Sequence, residues 1–198
     1  MTLKQPLQQA ADALLDFDEQ AHELFKPAAS SRIAEALEPI SKLGDQPQLR
    51  TLCAGMIIVG MLTRNRRLTN AGSRMIIAHE TATFAKEILK TEIDRTRPRS
   101  ATSRDDKKPR KGNHESKELS SFPSGHSAGA IATARAFARE YPEAGVSAIA
   151  AAAGIAAVQI VRCAHYPTDV AAGLAIGMVA EFGTDVLWRG LGIDERGS

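Results

Sequence analysis

The sequence predicts an all-α protein, a bundle of helices, and three observations support this. Apolar residues recur at steps of three and four in several segments, which places them on one face of a helix. No stretch alternates apolar and polar residues as a half-buried strand does. Gly44 and Pro98 stand at or just beyond the ends of predicted helices, where such residues commonly occur. With 198 residues, the chain has about the length of a single domain.

Two amphipathic segments open the chain. Each is defined by apolar residues at helical spacing: Leu7, Ala11, Leu14, Leu15, Ala21, Leu24 and Phe25 in the first, and Ile33, Leu37, Ile40 and Leu43 in the second. Gly44 ends the second segment, because glycine readily follows a helix. We therefore expect residues 1–43 to form N-terminal helices that pack on a core built from residues 44–198.

The middle of the chain predicts two helices joined by a basic turn. Asp45 is placed to cap the first of them, which extends over about 47–61. The arginine cluster at 64–67 forms the turn. A longer helix follows over 68–95, with no proline inside it and with Pro98 just beyond its end.

A charged stretch over 99–121 separates these helices from the last part of the chain. It is rich in Lys, Arg, Asp and Ser, and it is long for a connection within a compact domain, which makes it either functional or mobile. We expect a solvated lid or connection there, or a basic loop that draws anionic substrates or lipid surfaces toward the site. Three alanine-rich helices complete the bundle, over about 124–141, 142–163 and 167–191.

Composition and charge exclude some classes of protein. The formal net charge is only +2, which gives no reason to expect a nucleic-acid partner. The two cysteines, Cys53 and Cys163, have no metal-ligand spacing and form no disulfide framework, so we expect no metal and no other cofactor. The apolar faces of several helices are compatible with a homodimer.

Two features bear on localisation. The first nine residues are polar and lack the basic start and apolar run of a secretory signal, so we expect a cytoplasmic protein or one associated with the cytoplasmic membrane. The uncharged stretch over 144–161 just reaches the length that can cross a bilayer. Much of it is alanine, which gains little from lipid, and we favour a buried helix of a soluble or peripheral protein over a spanning one.

Three short blocks of sequence contain residue types suited to catalysis. The first is Lys90, followed after six residues by Arg97 and Pro98. Seven residues are close to two helical turns, so both cations lie on one face. Taken alone, such a pair is equally typical of a solvated surface near the end of a helix, where cations complement the helix dipole.

The second block is the run at 121–127, with the tetrad Pro-Ser-Gly-His at 123–126, directly before an apolar helix. Proline and glycine around Ser124 make a tight entry to the helix. There, backbone N–H groups and a hydroxyl can converge on an anion. The alternative is a simple capped helix that begins with an incidental histidine.

The third block places His165 four residues before Asp169, around the start of the last helix. At this spacing a carboxylate can reach one ring nitrogen, fix the tautomer and leave the other nitrogen free for attack. Pro167 between them suits the first turn of a helix. Without the other blocks, a histidine at a helix start is more often structural than catalytic.

Together, the three blocks resemble the superfamily of type-2 phosphatidic acid phosphatases, bacterial class A acid phosphatases and vanadium haloperoxidases. The similarity extends over about 44–186. It implies a helical bundle with the site at one end, where the loops around the core helices meet. It also implies a metal-independent phosphatase that forms a phosphohistidine intermediate.

The resemblance implies a role for each matching residue. His165 would be the nucleophile on phosphorus, and Asp169 would orient it. His126 would protonate the leaving oxygen and later activate water. The ligands of the transferring phosphoryl group would be cations and groups at the helix start: Lys90, Arg97, the Ser124 hydroxyl and the Gly125 N–H. This chemistry is sound in itself, since a neutral imidazole is a good nucleophile and fixed cations replace a metal ion.

One position departs from the family pattern. The third block normally opens with Ser-Arg, but here Val158 and Gln159 stand in those places. Arg162 lies one helical turn beyond and is the only charge in a long apolar segment, so we expect it to bind the same anion instead. The alternative is an arginine that is ion-paired or extended to solvent at the end of the helix.

Three functions follow from these blocks. The first is hydrolysis of a lipid phosphate or a small soluble phosphomonoester. The second is vanadate-dependent halide oxidation, because the same oxyanion site binds vanadate, although such enzymes are generally much larger. The third is a weakly active helical protein that binds phosphate or lipid. The expected partners are a phosphorylated substrate and a membrane surface.

Overall fold

The computed structural model describes residues 4–112, 116 and 118–192 of the chain. Within them, the structure is a helical bundle, as the sequence predicts. Eight α-helices are formed: α1 Lys4–Ala29, α2 Arg32–Ala36, α3 Glu38–Leu43, α4 Gln46–Leu62, α5 Arg66–Glu92, α6 Gly125–Glu140, α7 Pro142–Val161 and α8 Pro167–Gly190. Most predicted bounds are confirmed to within a few residues.

Two predicted elements differ from the structure. The second amphipathic segment forms two helices and not one. Pro39 occupies the first turn of α3, and the helix is interrupted at Leu37, between α2 and α3. The long helix α5 ends at Glu92, three residues earlier than predicted. The chain there forms a short antiparallel ladder of β1, Ile93–Asp94, with β2, Arg110–Lys111, which the sequence pattern did not predict.

The charged stretch is partly ordered against the bundle. It contains a short 3₁₀ helix, Pro98–Ser100, and the strand β2, while residues 113–115 and 117 lie outside the described part of the chain. Arg104 and Lys107 form ion pairs with acidic side chains of α1, Asp16 and Glu19. Within the described residues, this stretch is therefore a connection held to the N-terminal helix by charge.

Helix α6 lies at the centre of the bundle and packs against α5, α7 and α8. Its inward residues are almost all small, which lets neighbouring helix backbones approach closely. One core cluster consists of Cys53, Met75, Ala78, Ala82, Ala128, Ala132, Ala136 and Ala180. Close packing of small residues fixes where α6 begins, and hence where the Pro-Ser-Gly-His loop lies.

Among the described helices, α7 and α8 are long and apolar enough to cross a membrane. Only 28% of the apolar window in α7 and 39% of that in α8 are buried inside the bundle. Large apolar side chains of α8, such as Val179, Phe182 and Leu187, are exposed. The expectation of a buried α7 holds only in part, since α7 packs on α6 but fewer than a third of the residues in its apolar window are buried.

Two glycines of α8 allow a matched test of this packing. A Cβ atom at Gly177 would lie 2.3 Å from the carbonyl oxygen of Ala128 and 2.4 Å from Ile131, whereas a Cβ at Gly183 would meet nothing within 4 Å. We expect Gly177→Ala to lower the free energy of unfolding by about 1–3 kcal/mol through overpacking. Gly183→Ala should raise it by up to about 1 kcal/mol through helix propensity. Urea denaturation of both variants measures the difference, and equal effects would contradict the close α6–α8 contact.

Candidate active site

The three predicted blocks meet in one pocket at an end of the bundle. A cavity of about 280 Å³ lies between the end of α5, the start of α6 and the turn before α8. It is lined by basic, histidine and loop residues: Gly44, Asp45, Gln46, Pro47, Lys86, Lys90, Arg97, Gly125, His126 and His165. The fold thus brings two imidazoles that are far apart in sequence, His126 and His165, together with three cationic side chains from residues 86–97.

His165 lies in the turn that precedes α8 and is almost completely buried. Its Nδ1 is 2.7 Å from the carbonyl oxygen of Ser121. Because a carbonyl oxygen only accepts hydrogen bonds, Nδ1 carries the proton and Nε2 keeps its lone pair. Burial, together with the nearby charges of Arg97 and Lys90, holds the pKa of His165 well below its usual value. The ring is therefore a neutral imidazole at neutral pH.

Asp169 supports His165 in a different way from the one predicted. Its Oδ2 is 3.9 Å from Nδ1 of His165, which is too long for a hydrogen bond. The carboxylate instead accepts hydrogen bonds from Ser121 Oγ at 2.6 Å, from the Tyr166 backbone N–H at 3.0 Å and from Arg95 at 2.6 Å. Asp169 thus fixes Ser121, and the Ser121 carbonyl oxygen in turn holds the imidazole.

The buried side chain of Arg95 supports Asp169, and the sequence did not identify Arg95 as a site residue. Its guanidinium group donates to Asp169 and, on the other side, to Asp18 of α1 at 2.6 Å. It also stacks on the ring of Tyr166, with 4.1 Å to the ring centroid. Asp18 accepts a further hydrogen bond from the backbone N–H of Thr168 in the first turn of α8. The N-terminal helix is thereby joined to the helix that follows the candidate nucleophile.

Lys90 and Arg97 both line the pocket, as predicted for phosphate ligands. Lys90 Nζ donates to the carbonyl oxygen and the hydroxyl of Ser120, at 3.1 and 2.8 Å. Burial and the charges of Lys86 and Arg97 lower the pKa of Lys90 to about 8. The pKa of Arg97 is lowered as well, mainly by burial. The pocket is therefore a concentration of positive charge suited to an anion.

Lys86 is a third pocket cation that the sequence analysis did not single out. It lies one helical turn before Lys90 on α5, and its side chain is 7% exposed and paired with Glu87 at 2.6 Å. Its Nζ comes within 3.2 Å of the position that a Cβ atom would take at Gly125. The spacing of four between Lys86 and Lys90 is the signal that predicts a shared face.

The Pro-Ser-Gly-His loop forms the start of α6. Ser124 is its N-cap, and the Ser124 hydroxyl lies 2.8 Å from the hydroxyl of Ser127 and accepts from the Ser127 N–H. Ser124 is completely buried and is not among the lining residues, unlike Gly125. Gly125 is the first residue of α6, where backbone N–H groups lack a partner within the helix. Ser124 thus positions the helix end, and Gly125 is the residue that faces the pocket.

His126 lies on the other side of the pocket, where its Nε2 is 2.7 Å from Oδ1 of Asp45. Burial is the largest cause that lowers the pKa of this imidazole, and Asp45 opposes it. Asp45 stands at the N-cap position of α4, as predicted, but its side chain makes no capping hydrogen bond. Its carboxylate belongs to the pocket instead.

Arg162 does not line this pocket. It is the C-cap residue of α7, and its guanidinium group lies 3.9 Å from a carboxylate oxygen of Glu38. This placement corresponds to the alternative interpretation, an ion-paired arginine at a helix end. Gln159, which replaces the family arginine, is buried and donates to the hydroxyl of Ser41 at 3.0 Å.

Comparisons with known proteins agree with this geometry. Residues 71–188 match the family described as the PAP2 superfamily. Lipid A 1-phosphatases from Rhizobium etli and Rhizobium johnstonii are each 47% identical to this chain over 57 residues. That segment is 29% of this chain and only 25% and 23% of the two relatives, so the chain spans about a quarter of their length.

Two solved structures share the fold. One is LpxE of Aquifex aeolicus, with a TM-score of 0.59 and 23% identity over 82% of this chain and 92% of that protein. The other is the first transmembrane PAP2-type phosphatidylglycerolphosphate phosphatase from Bacillus subtilis, with a TM-score of 0.61 and 23% identity. This match covers 98% of this chain and 89% of the Bacillus subtilis protein. At this identity the likeness shows the helical fold, including the N-terminal helices of this chain.

The lowered pKa of Lys90 predicts how anion binding depends on pH. Lys90 loses its charge as the pH rises through about 8, so the inhibition constant for inorganic phosphate should rise above that pH. In Lys90→Arg the charge persists, because a guanidinium group titrates at much higher pH. We expect the ratio of the wild-type inhibition constant to that of Lys90→Arg to rise at least about threefold between pH 7 and 9.5. The ionisation of phosphate affects both constants equally and therefore cancels in the ratio. A ratio independent of pH would contradict the role of Lys90.

Proposed function

We propose that this chain, which belongs to the PAP2 superfamily, hydrolyses a lipid phosphate by passing the phosphoryl group through His165. One observation supports this above all others. A neutral imidazole with a free Nε2 faces a pocket that contains three cations and a second imidazole. This is the set of groups that a phosphoryl transfer needs: a nucleophile, charge stabilisation and a proton donor.

In the first step, Nε2 of His165 attacks phosphorus while the bond from phosphorus to the leaving oxygen breaks. His126 gives a proton to that oxygen, and the alcohol leaves. Lys86, Lys90 and Arg97 stabilise the charge on the equatorial oxygens of the transferring group, as fixed cations do in other phosphoryl transfers. The proposed reaction therefore needs no metal ion and no other cofactor.

In the second step, water attacks the phosphohistidine. His126, now neutral, takes a proton from the water as the bond between phosphorus and Nε2 of His165 breaks. The electron pair returns to Nε2, inorganic phosphate leaves and His126 is protonated again. The Ser121 carbonyl oxygen keeps the proton of His165 on Nδ1 throughout, so that Nε2 is ready for the next cycle.

An apolar groove next to the pocket supports a lipid as the substrate. The groove has a volume of about 500 Å³ and is lined by side chains of α4 to α7, among them Leu52, Met56 and Ala151. The segment 43–49 borders both spaces, since Leu43 and Leu49 line the groove and Gly44 to Pro47 line the pocket. In the proposed reaction the leaving oxygen lies beside His126, and a Cβ atom at Gly44 would lie within 3.3 Å of both His126 and the groove residue Ile155. The acyl chains, which are joined to the leaving oxygen through the alcohol part of the lipid, would therefore lie in the groove.

The outward-facing apolar helices support membrane association. The exposed apolar side chains of α8 have counterparts on α4 and α5, including Leu62 and Phe84, at 80% and 70% exposure. Exposed apolar surface of this extent marks a contact with lipid or with another protein. A lipid phosphatase meets its substrate at a bilayer, so we propose that these helices contact lipid.

The phosphohistidine proposal is tested with the candidate nucleophile. His165→Ala should lower phosphate release from a phosphatidic acid by at least about a thousandfold, because it removes the nitrogen that attacks phosphorus. Wild-type activity should persist in EDTA and be blocked by vanadate. Wild-type protein incubated with ³²P-labelled substrate should carry a label that is acid-labile and alkali-stable. This label should be absent from His165→Ala. Full turnover by folded His165→Ala, as judged by circular dichroism, would exclude this mechanism.

The acyl-chain proposal is tested on α7. Ala151 and Ala153 are both exposed residues of α7, but Ala151 lines the groove and Ala153 does not. We expect Ala151→Trp to raise KM for a dioleoyl phosphatidate about tenfold, through loss of buried acyl contacts, and to leave a short-chain phosphomonoester unchanged. Ala153→Trp is the matched control. Equal kinetics of the two variants on both substrates would count against the groove.

A further inference from the structure

The carboxylate of Asp45 contacts the imidazole of His126, and the two reaction steps above assign Asp45 no role. Its carboxylate oxygen lies 2.7 Å from Nε2 of His126, across 81 residues of sequence. It lines the same pocket as Lys86, Lys90 and Arg97. A carboxylate in a pocket for an anionic substrate repels that substrate. Its presence there calls for a role that offsets this cost.

A structural role in helix α4 does not account for the contact. Asp45 is the N-cap residue, yet its side chain accepts no hydrogen bond from the first turn of α4. Asp45 is also not the buried partner of a core cation, since its side chain is 39% exposed. The hydrogen bond to His126 is the side-chain contact that the geometry gives it.

The charges around His126 oppose its protonation. Lys86 on α5 and Arg97 after β1 both lower the pKa of His126, as does burial, and the neighbouring imidazole of His165 lies across the pocket. Asp45 raises the pKa of His126, both by its charge and by its hydrogen bond. A proton donor must be protonated when the substrate binds, so a group that opposes the pocket cations is needed.

We propose that Asp45 is a positioning residue: it holds the Nε2–H of His126, so that His126 exchanges protons with the substrate through Nδ1. This rests on the proposed function and deepens it. Nδ1 of His126 makes no hydrogen bond within the described part of the chain, and is therefore free for the leaving oxygen. His165 and His126 thus use opposite ring nitrogens, because each ring is held through its other nitrogen by a protein oxygen.

The proton balance is simple. The doubly protonated His126 gives the Nδ1 proton to the leaving oxygen as the bond between phosphorus and oxygen breaks. It keeps the proton on Nε2, which stays hydrogen-bonded to Asp45. The neutral ring then takes a proton from water at Nδ1 when the phosphohistidine is hydrolysed. Asp45 keeps its hydrogen bond to Nε2 of His126 in both steps and forms no bond to substrate.

The test compares two leaving groups. An alkyl phosphate needs a proton on its leaving oxygen, whereas p-nitrophenolate is a weak base that leaves without one. We expect Asp45→Asn to lower kcat/KM at least about tenfold for the alkyl phosphate and less than threefold for the aryl phosphate. The alkaline limb of the alkyl profile should move about one pH unit or more to lower pH. Asn is also a good N-cap, so helix α4 should be preserved.

Control variants separate this effect from general damage. Asp12→Asn removes an exposed carboxylate of α1 that does not line the pocket, and it should leave the hydrolysis of both substrates unaffected. Asp45→Glu should restore part of the alkyl activity, because it restores the charge. Equal losses of Asp45→Asn on both substrates, or no loss on either, would overturn the proposal.

A measurement on the ring itself distinguishes this proposal from the proposed function. The pKa of His126 can be measured by NMR titration of its imidazole signal. That signal is assigned as the one that is missing from the spectrum of His126→Gln. We expect Asp45→Asn to lower that pKa by about one unit or more, whether or not the enzyme turns over. An unchanged pKa would refute the positioning role. Wild-type protein that hydrolyses neither substrate would instead refute the proposed function, and the NMR titration would still decide whether Asp45 controls the ring.

Discussion

The hydrogen bond from Nδ1 of His165 to the carbonyl oxygen of Ser121 is the interaction on which the candidate site depends. It fixes the tautomer, and so makes Nε2 the nitrogen that faces the cations. The carbonyl oxygen is itself held, because the hydroxyl of Ser121 donates to Asp169 and Asp169 is held by Arg95. A carbonyl oxygen carries no full charge, so the ring stays neutral where a direct carboxylate partner would favour the imidazolium form.

The same network explains why the N-terminal helix matters to a pocket that it does not line. Arg95 lies between Asp169 and Asp18, all three buried, and each carboxylate neutralises part of its charge. Removing one partner from such a group leaves a buried charge without compensation, at a cost of about 3–5 kcal/mol. Helix α1 lies before the part of the chain that matches the PAP2 superfamily, yet Asp18 of α1 completes the electrostatic support of the candidate nucleophile, His165.

Charge and apolar surface are distributed along the bundle in a way that suits a phosphorylated lipid. The cations Lys86, Lys90 and Arg97 converge at the end where α5 stops and α6 begins, and a bound anion would relieve their mutual repulsion. Next to them, small residues of α6 and α7 leave room for the apolar groove. The phosphate and the acyl chain would thus be bound on the two sides of one short segment, 43–49.

The sequence by itself determined the helical class, most helix bounds and the residues that could do the chemistry, because these follow from local spacing and from residue type. It also identified Lys90, Arg97, Gly125, His126 and His165, which the structure brings to one pocket. Only the tertiary structure decided which groups pair with them. Asp45 bonds to His126 and not to its own helix, Ser121 stands between Asp169 and His165, and Arg162 meets Glu38 away from the pocket. These pairings join residues far apart in the chain, and helix packing, which no local pattern encodes, sets their distances.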